Sequence, residues 1–172
     1  MRPQDRLFAC ICLLSAAVAA RDCKAQSIAV PEGERITLRT EGKGVQIYRC
    51  DTQAQTANQT AQWTFVAPEA DLTVDGTRVG THDAGPAWHY KDGSSVIGEV
   101  VTKADSPNPA SIPMLLLKVK QTSGHGLLTP VNYIVRSETR GGIAPPSGCD
   151  AAHAGATVRV PYSAVYTFYV AR

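Results

Sequence analysis

The feature that most constrains this chain is a hydrophobic period of two. Arg35-Ile36-Thr37-Leu38-Arg39-Thr40 alternates polar and apolar residues, and so does Val45-Gln46-Ile47-Tyr48-Arg49. Such alternation bounded by glycines marks half-buried strands, because successive side chains of a strand point to opposite faces. No segment carries apolar residues at i, i+3, i+4 and i+7 through three capped turns. Glu41-Gly42-Lys43-Gly44 reads as the turn between the first two strands. Trp63 to Val66 reads as a strand stopped by Pro68, and Leu72 to Val74 as one ending at the turn dipeptide Asp75-Gly76. Ala87 to Tyr90 and Ser95 to Thr102 flank Asp92-Gly93, which suits a type I′ hairpin turn. Ile112 to Val119 is a continuous apolar run, the pattern of a strand buried on both faces. Val131 to Arg136, Ala156 to Val160 and Ser163 to Val170 complete the set, the last two split by Pro161. Glycine and proline are read as punctuation between strands. The expectation is an all-β, single-domain antiparallel sandwich or barrel of about nine short strands.

The N-terminus sets the expected compartment. Arg2 and Arg6 precede an uncharged apolar run, Leu7 to Ala19, which ends in Ala17-Val18-Ala19. A basic start, a short apolar core and small residues at the cut make a secretory signal peptide over 1–19, with a second small-x-small site that could move the cut as late as 27. The run is shorter than the roughly 20 residues that span a bilayer. Residues 28–172 read as one β-rich domain, secreted or periplasmic. The whole chain has 17 Lys+Arg and 15 Asp+Glu, and the signal removes Arg2, Arg6 and Asp5, leaving 15 against 14. That balance gives no electrostatic reason to expect nucleic acid or an anionic membrane as a partner. Cys10 and Cys12 leave with the signal, and Cys23 stays only if the earlier cut is used. In an oxidising compartment the remaining Cys50 and Cys149 most simply form one disulfide. Neither has a cysteine or histidine at ligand spacing that would favour a metal site. Gln53 to Gln62 is polar and uncharged, a surface loop in which Asn58-Gln59-Thr60 is a glycosylation acceptor only in a eukaryotic source.

Chemistry-bearing residues concentrate in Gly80 to Ser94 (GTHDAGPAWHYKDGS). No serine sits in a G-x-S-x-G elbow, no H-E-x-x-H holds two metal ligands on one face, and no glycine-rich loop opens a helix for phosphate. Seven carboxylates offer many acid–base pairings and no selective one. A binding face is the more natural use: Trp88 to stack, with His82, Tyr90, Asp92 and, from another loop, His125 around it. The bland alternative is that Trp88 fills the core while the polar groups cap turns.

Together, G-V-Q-I-Y-R-C at Gly44 to Cys50, W-T-F-V-A-P-E-A at Trp63 to Ala70, H-D-A-G-P-A-W at His82 to Trp88, D-G-S at Asp92 to Ser94, I-P-M-L-L-L at Ile112 to Leu117, Y-I-V-R-S-E-T-R-G-G at Tyr133 to Gly142 and V-P-Y-S-A-V-Y-T-F-Y at Val160 to Tyr169 form a joint pattern. In these motifs the chain resembles domain-of-unknown-function family 3455, small secreted bacterial and fungal proteins, over about Val45 to Tyr169. Met114 stands where a tryptophan is common. The resemblance implies a secreted β-rich domain with a cysteine pair at Cys50 and Cys149, and no catalytic residues to carry over. Some fungal members are labelled malate dehydrogenase, but this chain has neither a G-x-G-x-x-G after a strand nor alternating strands and helices. The expected function is a non-catalytic binding module for a carbohydrate or other small polar ligand, without metal or cofactor. The alternatives are a hydrolase or isomerase using His82 as general base, and an envelope or matrix interaction protein.

Overall fold

The structure, a computed structural model, describes residues 28–53 and 60–172. The expected signal peptide (1–19), Cys23 and Asn58 lie outside the described residues. Eight strands succeed one another: β1 (Glu34–Gln53), β2 (Thr60–Val74), β3 (Thr77–Asp83), β4 (Ala87–Tyr90), β5 (Ser95–Ala104), β6 (Met114–Ser123), β7 (Val131–Gly141) and β8 (Thr157–Ala171). Each pairs with the next, and β1 closes on β8, so the sheet is an antiparallel up-and-down barrel. Closure gives every strand two neighbours and removes the sheet edges.

The strands are fewer and longer than the alternating runs suggest, because glycine and proline lie inside them. Gly42 and Gly44 make no turn; β1 runs straight through them. They permit close approach of the neighbouring strands β2 and β8. A Cβ on Gly44 would overlap the Glu69 carbonyl and come within 2.5 Å of Ala70 Cα, and one on Gly42 would strike the Tyr166 ring. Pro68 pairs with Gln46 inside β2, and Pro161 pairs with Val45 inside β8. Thr77 to Asp83, lacking a clean apolar alternation, is nevertheless a full strand paired on both sides.

Two turns show how local chemistry sets register. Asp75 (φ 48°) and Gly76 (φ 76°) both take positive φ, as a two-residue I′ hairpin needs. The Asp92-Gly93 turn is different, since only Gly93 has positive φ (87°). Gly93 N–H donates to Tyr90 O (3.0 Å) and Tyr90 N–H to Ser94 O (2.9 Å), a three-residue loop ending in a left-handed glycine.

The interior is filled by Trp88, Tyr166, Phe168, Leu72, Leu117, Ile134 and their neighbours. Trp88 lies edge-on to Tyr166 (5.6 Å) and Phe168 (6.3 Å), arrangements worth about 0.5–1.5 kcal/mol each beyond area burial. Gly98 makes room for this: a Cβ there would meet the Trp88 ring at 3.2 Å. Leu116 and Leu117 are both buried, whereas Lys118 is exposed and Met114 and Leu115 are partly so. The apolar run of β6 is therefore enclosed on both faces only at its centre.

Hairpin connections of an up-and-down barrel alternate between its ends. The β2–β3, β4–β5 and β6–β7 turns share one end; the β3–β4 turn, the β5–β6 loop and the β7–β8 segment share the other. At the latter end, Cys50 and Cys149 are joined, with Cα atoms 5.2 Å apart. The β7–β8 segment is held against β1 and β2 by Cys50 N–H to Ala156 O (2.8 Å), Tyr48 Oη–H to Gly142 O (2.6 Å) and Trp63 Nε1–H to Ser147 O (2.9 Å).

Candidate functional site

The residues around Trp88 divide between inside and outside, and between the two barrel ends. His82 pairs with Trp88 across β3 and β4, and both point inward; they are 2% and 1% exposed. Their rings stack at 4.3 Å and 11°. Trp88 is thus a core residue, closed to any ligand at the surface. Tyr90 packs half-buried against the same cluster. His89 faces out, within 3.4 Å of Asp83.

Asp92 lies at the opposite end from the β3–β4 turn, and its carboxylate is engaged. Oδ1 accepts from Ser94 N (2.9 Å) and Ser94 Oγ (2.6 Å), and Oδ2 from Leu127 N (2.7 Å). Ser94 Oγ in turn accepts from Leu128 N (3.1 Å). These bonds, led by the one from Ser94 Oγ, hold the Asp92 carboxyl below its usual pKa. Their effect is to clamp the Gly124–Pro130 loop onto the β4–β5 turn, placing buried Leu128 across that end of the barrel. His125 is exposed on the clamped loop. The sequence-picked set is therefore not one constellation: His82, Trp88 and Tyr90 belong to the interior, Asp92 and His125 to a structural clamp. Among the described residues, no group of three or more His, Cys, Asp or Glu side chains is placed to hold a metal ion.

The other end is open. A cavity of about 520 Å³ enters the barrel between β1, β2, the β3–β4 turn, β5, β6 and β7. Its walls are Phe65, Val66, Pro68, Pro86, Val100, Ile112, Pro113 and Leu115; its polar groups are Gln46, Tyr48, His82, Lys103 and Arg136. Phe65, Val66 and Val100 are half exposed (50%, 50% and 49%), so the rim presents apolar surface to water. Arg136 projects inward opposite Tyr166, and its Nε and Nη2 donate to Pro113 O (3.1 and 2.9 Å). Among the described residues it pairs with no carboxylate. Gln46 is 2% exposed and its Nε2 has no acceptor. The amide lies beside the Tyr162 hydroxyl, close enough to lower that phenol's pKa against the dominant effect of burial, yet outside hydrogen-bonding geometry for Nε2.

His82 is the buried ionisable ring beside this cavity. Burial pushes its pKa from 6.5 down to about 4, against the opposing hydrogen bond to Ala87 O (2.7 Å). A carbonyl can only accept, so Nδ1 carries the proton and the ring is neutral at pH 7. A second depression, about 360 Å³, lies over β1–β3, and four of its charged side chains are taken up in the pairs Arg159–Glu69 (2.7 Å) and Arg78–Asp71 (2.6 Å).

Sequence reasoning missed Gln46 and Arg136. The readable signal was parity: Arg136 shares the face of Ile134, where alternation calls for an apolar side chain. Gln46 shares the face of Tyr48 and Cys50, so in that half of β1 the polar-looking phase points inward and Val45 and Ile47 point out. A family model described as "Protein of unknown function (DUF3455)" matches residues 31–170. No curated protein and no solved structure matches the chain.

Proposed function

The chain belongs to the DUF3455 family, and we propose that it is an exported, non-catalytic barrel that binds one small molecule in its open end. The observation that carries this reading is the mouth cavity itself, with a fully buried Gln46 amide lacking an acceptor on its floor. A buried donor without a partner costs about 1–3 kcal/mol and calls for an explanation; a ligand that brings an acceptor into the cavity supplies one. Eight strands enclose an interior just wide enough to be filled by side chains or to hold one small ligand. Here side chains fill one end and the other is hollow. The volume falls within the range of small-molecule sites, which combine apolar walls with a few placed polar groups.

Export is supported by the basic-then-apolar N-terminus and by the Cys50–Cys149 bond, which persists in oxidising compartments. A water-exposed barrel is supported by its polarity: the interior is apolar and the outside carries ion pairs such as Arg78–Asp71, the reverse of a lipid-facing barrel. Binding is favoured over turnover because an imidazole held near pKa 4 is a weak general base at neutral pH. With Trp88 enclosed, a sugar has no stacking platform there, and the apolar rim favours a less polar ligand.

The test is a thermal-shift screen of mono- and oligosaccharides and small apolar molecules. It compares the wild type with Leu115→Trp, whose larger side chain fills the cavity. Ligands that raise the wild-type Tm but not that of Leu115→Trp support the reading. A folded wild type that no library member shifts defeats it.

A further inference from the structure

We infer that the mouth cavity receives an organic monocarboxylate, its acid group on Arg136 and Gln46 and its apolar body along the rim. This rests on the binding reading above and names the ligand class of the same site.

The cavity has an excess of donors and of positive charge. Arg136 and Lys103 line it, and no Asp or Glu does. The Arg136 guanidinium has five N–H donors; Nε–H and one on Nη2 are taken by Pro113 O, another is engaged by the Tyr166 hydroxyl, and the rest are left for a ligand. That anchor fixes the side chain in the cavity without neutralising it. Its charge acts on Tyr48, His82, Tyr162 and Tyr166, which places it among the side chains of the floor. None of these supplies a negative charge: burial holds the phenols protonated, and the imidazole is neutral. Gln46 Nε2 adds a second donor without an acceptor.

A ligand that completes this site must bring acceptor oxygens and one negative charge. A carboxylate does both, and its two oxygens match a guanidinium better than they match an ammonium. Lys103 is exposed to water, so the enclosed part of the site offers one guanidinium and one amide, which suit a monoanion. Half-exposed Phe65, Val66 and Val100 then gain by covering, at about 25 cal/mol for each Å² removed from water.

The test compares two probes of equal chain length, decanoate and decan-1-ol, by calorimetry on the oxidised protein, with amide chemical-shift mapping. Decanoate should bind at the mouth at least about tenfold more tightly than the alcohol, the worth of one hydrogen bond to a charged group. Arg136→Gln should erase the difference. Because that change also frees the Pro113 carbonyl, Gln46→Leu is the second variant. It should melt no lower than the wild type, having lost an unpaired buried donor, while binding decanoate roughly tenfold more weakly. Equal binding of both probes at the cavity would overturn the carboxylate assignment and leave the binding barrel standing. So would shifts confined to another surface, or failure of both probes where the wider screen finds a Leu115-sensitive ligand. If no probe or library member binds at all, the binding reading itself falls.

Discussion

Mild acid should destabilise this barrel through one interior ring. His82 is 2% exposed, stacked on Trp88 at 4.3 Å, and bonded through Nδ1 to Ala87 O. Burial lowers its pKa from 6.5 to about 4, with Arg136 and His89 adding smaller effects in the same direction. The unfolded chain therefore takes up a proton below pH 6.5 that the folded barrel refuses until about pH 4. Between these values the unfolded state binds more protons, so stability rises with pH and is lost as pH falls. At about 1.4 kcal/mol per pH unit, the full drop is about 3 kcal/mol, most of it reached by pH 4.5. That is a large share of the 5–15 kcal/mol that holds a typical domain folded. Asp51, Asp92 and Asp150 are lowered from 3.8 and Glu69 from 4.5, so their acid sensitivity lies at and below the bottom of this window. The assay is urea unfolding at a series of pH values from 7 to 4.5, for the wild type and for His82→Phe. The phenyl ring keeps the stack on Trp88 and removes the titration. The variant is expected to be less stable at pH 7, because Ala87 O loses its donor, but to show a flatter dependence on pH. A flat wild-type profile, or equal slopes in the two proteins, would refute the reasoning.

The Cys50–Cys149 bond joins residues 99 apart in sequence, so its reduction should cost up to about 4.7 kcal/mol by chain entropy; urea midpoints unchanged by reductant would contradict this. Gly44→Ala should lose about 3 kcal/mol, the upper end of overpacking losses, because its Cβ meets fixed backbone at Glu69 and Ala70. A melting temperature equal to that of the wild type would show that the two strands can part. Asp92→Asn should speed hydrogen exchange at the Leu127 and Leu128 amides. The stabilisation that Asp92 adds is present above its ordinary pKa of 3.8 and fades as pH falls through the lower folded value. Exchange at those two amides as slow as in the wild type would show that the carboxylate does not clamp the loop.

Much of the architecture was legible because strand character is local. Period-two runs, the Asp75-Gly76 turn and the lack of helical spacing specify antiparallel β-structure wherever the chain goes. The boundaries misled for a reason that is not local. Gly42, Gly44, Pro68 and Pro161 look like punctuation, but the two glycines are small because another strand lies against them, and the prolines sit within paired strands. The candidate site was legible only in part. His82 beside Trp88 is a true spatial pair, set by the short hairpin from Asp83 to Ala87. Its supposed companions Asp92 and His125 are near in sequence or type but belong to the far end.

The sequence alone determined that the chain would be all-β and antiparallel, and supplied the two cysteines whose pairing ties the β7–β8 segment to β1. Only the tertiary structure decided that eight strands close into a barrel, which residues share its hollow end, and that Trp88 is enclosed. Strand propensity and turn chemistry act between neighbours in the chain. A cavity is made by residues from six strands and two connections, and the charge on Arg136 acquires meaning only when closure places it opposite Tyr166, in the same cavity as Gln46, with no carboxylate among the described residues to meet it.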